Sequence, residues 1–414
     1  MKYLIYLVFF FIIFTLLFFW YVSKKNLQKK FFKNVLLNCL DSKRSSNVPL
    51  CLFSNAIVDL ICEFILTKPE KVKKQILKEL AEKNYTTLIK KSSREDVALS
   101  KLIKSLLTDE KILNTDIKHK SFPSLSECIF YESTYDYEAL KSVIKKIPNF
   151  YFSPKKHAFK SLFTARCLLL KTDLKKASQT LMKSMKTFRK HSCLDELAYS
   201  YFLLGEIYRI SKAHDVAQMM FEISSGIYKK TNHFYGQNFI ASAKAVNCIG
   251  QKRFDEARSL FQDLLKKYKE KKDDLHEAEI LNQLALLANI QNNHADAIKY
   301  AKKALSIHEK LKNIIGASFS QEQIAIANYA KGSFKIAEEM ALAAQKGYLK
   351  NKNETAYAEI LALLIRIYIQ TDQKEKLKKA NNALKKLEKQ NKSYFSLENL
   401  RNLRHDIDVE FKKK

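Results

Sequence analysis

From about residue 158 to residue 397 the alternation of apolar and polar positions repeats every forty residues. Ala177, Ala217, Ala257, Ala297 and Ala337 stand forty apart and are followed by Leu377. Twelve residues before each lies a second small position: Ala165, Gly205, Ala245, Ala285 and Ala325, then Ile365. Two small columns locked in phase mark where paired helices cross closely, because only Gly, Ala or Ser lets two backbones approach. Four residues after the second small position come Leu181, Phe221, Phe261, Ala301 and Ala341; three further come Ser184, Ser224, Leu264, Ala304 and Ala344. Spacings of three and four keep these residues on one face of the second helix. Short polar segments such as RISKAHD and IQNNHAD supply the turns.

The first residues follow another pattern. YLIYLVFFFIIFTLLFFWYV fills 3–22 with Thr15 as its clearly polar member. Twenty such residues match the thickness of a hydrocarbon core, and the segment lacks the small-residue cleavage site of a signal peptide, so 1–25 is expected to be a retained transmembrane anchor. Lys24, Lys25, Lys29, Lys30 and Lys33 follow it, against Lys2 before it. The positive-inside rule then places the bulk of the chain in the cytoplasm with the N-terminus outside. In LQKKFFKNVLLNCL the apolar residues share one helical face, which suits either a helix lying on anionic lipid, held by those lysines, or a first helix packed on the domain behind it. Residues 26–122 are read as an amphipathic helical region, with helices at about 49–67, 69–91 and 94–107 and Pro69 at a helix start.

The repeats resemble the tetratricopeptide repeat (TPR) family. Tyr201, Leu204, Gly205, Tyr208, Ala217 and Phe221 reproduce its W/Y-x-x-L-G-x-x-Y…A-x-x-x-F signature. The forty-residue spacing looks like the longer-helix variant of kinesin light chains and several bacterial regulators. The resemblance implies an all-α fold, a right-handed superhelical TPR solenoid of helix-turn-helix hairpins, preceded here by the single transmembrane helix. Six repeats are expected over 158–397, a degenerate repeat over 123–157 with Ala139 as its second small residue, and a capping helix with a basic tail over 398–414.

Composition supports this architecture. The chain is 47% hydrophobic, and its five prolines all precede residue 158. Helix breakers are therefore scarce in the repeats. The net charge of +30 invites a nucleic-acid reading, but ten of 73 basic residues are Arg and the surplus is Lys. It is spread along the whole chain with no basic stripe carrying interleaved aromatics, which argues against a nucleic-acid surface. Seven cysteines form no C-x-x-C, which excludes a zinc knuckle and an even disulfide framework.

No catalytic motif occurs: H-E-x-x-H, Walker A, G-x-S-x-G and G-x-G-x-x-G are all missing. No enzyme, cofactor or metal site is expected. His214 and His294 fall in a turn column that holds Phe254 and Phe334 elsewhere, and are read as packing residues. TPR proteins use the concave face, lined by the first helix of each repeat, to hold protein or peptide partners. The resemblance places Arg166, Glu206, Arg209, Ser242, Asn282, Gln283, Asn289, Glu322, Gln323, Tyr329 and Arg366 on that face. Asn and Gln can bond a peptide backbone in both directions, and Arg suits carboxylates. The expected function is a membrane-anchored scaffold or adaptor for protein partners. The alternatives are an envelope or secretion assembly factor on the opposite side of the membrane, and a basic nucleic-acid-associated protein.

Overall fold

The computed structural model describes residues 28–29, 36, 54–82, 85–95, 97–108, 125–133, 137–147, 154–170, 173–351 and 353–390. The expected anchor at 3–22, Lys24, Lys25, Lys30 and Lys33 beside it, and the expected capping helix at 398–414 lie outside these residues. Among the described residues every regular element is a helix, and no helix is long and apolar enough to cross a membrane.

The chain divides into two compact units, one of residues 1–208 with 219–239 and the other of 209–218 with 240–414. In the first, α1 (Ser54–Leu66), α2 (Glu70–Ala81), α3 (Thr86–Glu95) and α4 (Val97–Thr108) precede the shorter pair α5 (Leu125–Ser133) and α6 (Tyr137–Lys146). The helix expected over 69–91 is therefore two. Glu79 explains the break. Its carboxylate accepts from the Thr87 backbone N–H at 2.8 Å and from the Thr87 hydroxyl at 2.5 Å, so the end of α2 caps the start of α3. Pro69 stands as the N-cap of α2. Leu36 is fully buried and Lys29 pairs with Glu63 of α1 at 3.2 Å, so these two residues of the flanking segment engage the protein body.

The repeats are hairpins of first and second helices. They are α7 (Pro154–Leu170) with α8 (Leu174–Lys190), α9 (Leu194–Ile210) with α10 (His214–Lys230), and α11 (Phe234–Gly250) with α12 (Phe254–Glu270). Then follow α13 (Asp274–Ile290) with α14 (His294–Lys310), α15 (Ile314–Ala330) with α16 (Phe334–Lys350), and α17 (Glu354–Gln370) with α18 (Lys374–Gln390). Each of these helices has seventeen residues and each turn three, so the forty-residue repeat contains a twenty-residue backbone period. Ser192, Lys212, Asn232, Lys252, Lys272, Asn292, Lys312, Gly332 and Asp372 all take positive φ, twenty apart apart from the step to Asp372. The next residue closes a Schellman motif: the Cys193 and Asn293 N–H groups donate to the Phe188 and Ala288 carbonyls at 2.9 and 2.8 Å. The same residue position then caps the following helix, where Asp173, Asp273, Asn293, Asn313 and Asn353 each accept from a backbone N–H three residues on.

The small columns are the helix crossings. Ala177, Ala217, Ala257, Ala297 and Ala337 are fully buried, as are Ala245, Ala285 and Ala325. A Cβ added at Gly205 would lie 2.4 Å from Phe221 Cε1, so the full aromatic of the signature sits directly on the glycine. In the second unit Ala285, Ala301 and Ile324 form one cluster and Ala288, Ala297 and Ala327 the next, a ladder of small side chains between successive hairpins.

Candidate functional site

In the second unit α13 packs on α15 and α15 on α17, so first helices form a continuous layer. Each is covered by its own second helix and by its neighbours, which leaves one narrow stripe. Along α13 it runs Glu279, Gln283, Leu286, Ile290, at spacings that keep one helical face. Phe319 and Ile326 continue it on α15, and Glu359 and Arg366 on α17. Leu286, Phe319 and Ile326 are half-buried, Glu359 and Arg366 exposed.

The residues expected to line a groove separate into two groups. Asn282 is buried, 3.2 Å from the His308 ring, donates to the Gly316 carbonyl at 3.2 Å and accepts from Ser320 at 2.7 Å. Asn289 donates to the backbone and side-chain oxygens of Gln323, which is itself 1% exposed. Glu322 accepts from the Tyr348 hydroxyl. Arg166 is tied to the nearly buried Glu132 at 3.1 Å, and Tyr199 donates to the same carboxylate oxygen. These five side chains bond hairpin to hairpin or close a hairpin internally. Glu206, Arg209, Ser242, Gln283 and Tyr329 are half-buried, with the Tyr329 ring against Phe334, and Arg366 is exposed.

The reason is positional. Asn282 and Glu322 are ninth in their helices and meet the fifteenth residue of the second helix, His308 and Tyr348. That slot is interior. His308 is fully buried, and burial pushes its imidazole down to about 4, so it is neutral at physiological pH. It stands in a column of Phe188, Tyr228, Tyr268 and Tyr348 and lies against Gly316, where an added Cβ would be 2.4 Å from His308 Cε1. His214 is likewise structural, its Nδ1 2.9 Å from the Asn247 amide oxygen and its ring over Gly250. His294 lies 3.5 Å from Asn289.

A His–Asp pair that sequence reasoning missed joins Asp273 and His276 at 2.8 Å, with the imidazole stacked on Tyr268. Burial would lower His276, but Asp273 and Glu279 outweigh it and raise it. The pair is sealed between hairpins, 2% exposed at His276, and closes the turn into α13. Among the described residues no group of three or more His, Cys, Asp or Glu is placed to hold a metal.

The first unit contains a cavity of about 570 Å³ whose lining includes Lys29, Asp59, Glu63, Lys156, Asp195 and Thr231. Glu63 takes Lys29 on one carboxylate oxygen and Lys156 on the other, at 3.2 and 3.0 Å. Burial pushes Glu63 up, but the two ammonium groups prevail and its carboxyl is lowered. Lys29, expected at the lipid surface, is committed to this shared ion pair.

Residues 239–310 match the family model of the tetratricopeptide repeat. The helical repeat solenoid is TPR-like. No curated protein matches the chain at the level of sequence. Among solved structures, a Rap protein complexed with Competence and Sporulation Factor superposes with a TM-score of 0.53 at 8% identity, over 90% of this chain and 99% of that one. NprR in complex with its cognate peptide NprX gives 0.51 at 16% identity, over 82% and 99%. At these identities the likeness is one of fold.

Proposed function

We propose that this chain is a membrane-anchored TPR scaffold that binds protein or peptide partners on the layer of first helices and performs no catalysis itself. The observation that carries this reading is the stripe on α13, α15 and α17. It combines half-buried apolar side chains with Gln283, Glu359 and Arg366 and lies along helices whose central turns are otherwise mostly buried. Such a mixed, shallow surface suits an extended or helical segment. The two solved relatives were each determined with a peptide or factor bound, which supports a partner of the same kind here. The apolar run at 3–22 and Lys24, Lys25, Lys30 and Lys33 after it are the sequence features that support residence at a membrane with the repeats in the cytoplasm.

In-cell crosslinking and pull-down of the full chain tests the reading. Leu286→Glu with Ile326→Glu should remove the captured partners, while Leu342→Glu on the exposed side of α16 should keep them. Equal capture by both variants would reject the first-helix surface. Sidedness is checked with Ser306→Cys at an exposed site: an impermeant thiol reagent should label it after lysis and not in intact cells.

A further inference from the structure

Charge indicates which peptides that surface takes. The chain as a whole carries +30, and yet α13, α15 and α17 together hold six acidic residues, one arginine and no lysine. Their partners α14, α16 and α18 hold fourteen lysines against six acidic residues. Charge that is even along the sequence is thus sorted by layer. A lysine-rich composition alone would scatter lysine over every exposed position, including those of the first helices.

Glu279, half-buried, and Glu359, exposed, lie on the stripe, seven residues before Leu286 and Arg366 on their helices, so about two turns separate acid from the following position. Glu322 stands on the helix between them, buried and bonded by Tyr348. Among the described residues no lysine or arginine offsets any of the three: burial pushes all three carboxyls up, the His276 imidazole pulls Glu279 part of the way back, and Glu359 adds to the rise at Glu322. A carboxylate in that condition gains from a cation that a partner brings.

Resting on the groove reading above, we infer that the surface of repeats four to six selects a basic, amphipathic peptide, seating Lys or Arg at Glu279 and Glu359, apolar side chains at Leu286 and Ile326, and a carboxylate at Arg366. Long-range attraction cannot imitate this selection, because the +30 chain repels a cationic peptide until it reaches the acidic stripe.

The test uses the full chain in detergent micelles and three labelled amphipathic peptides that share their apolar positions and carry Lys, Gln or Glu at the polar ones. Fluorescence anisotropy should rank Lys above Gln above Glu, with the Lys peptide about tenfold tighter than the Gln peptide. Glu279→Gln with Glu359→Gln should erase that preference and leave the Gln peptide's affinity unchanged, whereas Glu339→Gln on α16 should leave the preference intact. Equal binding of all three peptides overturns the charge selection and spares the groove. A preference that survives the double variant places it elsewhere and overturns the assignment. Self-association that the double variant abolishes, read by light scattering, gives the surface to a second copy instead. If none of the three peptides binds, the groove reading falls and this inference with it.

Discussion

In repeat four the ninth residue of the first helix and the fifteenth of the second are Asn282 and His308; in repeat five the same positions hold Glu322 and Tyr348. Repeats one and two place Leu162 with Phe188 and Phe202 with Tyr228 there. The second-helix side of the slot is buried in all four, the first-helix side is buried in three and half-buried at Phe202, and the chemistry changes by pairs. A polar ninth residue comes with a ring that can bond it, since an unpaired polar group in the interior costs more than the bond returns. The two polar solutions differ in one respect. Repeat four holds a base that burial keeps neutral, and repeat five an acid whose carboxyl burial pushes up to about 7.

Breaking the pair in repeat four should have the largest effect. Asn282→Ala removes three hydrogen bonds at once, leaving His308 with Asn313 and Ser320 with the Gly316 carbonyl, opens a cavity, and should cost about 4 kcal/mol in urea denaturation of the full chain. Asn282→Leu with His308→Phe recreates the pair of repeat one and should recover most of that loss, because both partners become apolar at once. If the double variant is no more stable than Asn282→Ala, the slot is not the interchangeable interior position described here.

The opposite titrations predict two pH flanks. His308 is depressed from 6.5 to about 4, so the stability tied to its neutral form is present above pH 6.5 and is lost as pH falls toward 4. Glu322 is raised from 4.5 to about 7, so its contribution is present below pH 4.5 and is lost as pH rises through 7. Each shift corresponds to something on the order of 3 kcal/mol. Glu322→Gln should therefore stabilise the chain by up to about 3 kcal/mol near pH 8 and hardly at all near pH 5. Thermal melts at the two pH values check it; an equal gain at both would mean the effect is packing. Next in size, Gly316→Ala pushes a methyl into the His308 ring and should cost about 2 kcal/mol, although the matching position of repeat six is already Ala356.

These pairs also mark what the sequence alone conveys. The forty-residue period and its small columns were legible because close crossing admits a narrow choice of side chain, and Gly205 against Phe221 shows how little room there is. Asn282, Asn289, Glu322 and Gln323 were legible as special but not as buried, since a polar residue on a helix reads by default as exposed. The correlated change with the fifteenth position, His308 where others carry Phe or Tyr, was the available signal. The sorting of charge between layers appears once each helix is assigned to a layer; along the chain it averages out. The left-handed turns stayed hidden for a simpler reason. Most of them carry Lys, Ser or Asp, where Gly or Asn is the usual mark.

That substitution at the turns gives the smallest and most exacting comparison of the two repeats. The turn from repeat four into repeat five has Lys312 at φ 54°, and the turn inside repeat five has Gly332 at φ 73° with open space where a Cβ would be. A lysine held in the left-handed region pays about 1–2 kcal/mol against glycine, while glycine gives back about 0.5–1 kcal/mol through its freer unfolded chain. Lys312→Gly should therefore stabilise by about 0.5 kcal/mol, and Gly332→Lys should destabilise by about the same amount. Paired urea titrations of the two swaps resolve the effect by its sign. If both swaps destabilise, the lysine at 312 contributes something beyond the turn, and the two turns are not the same backbone device carried by different residues.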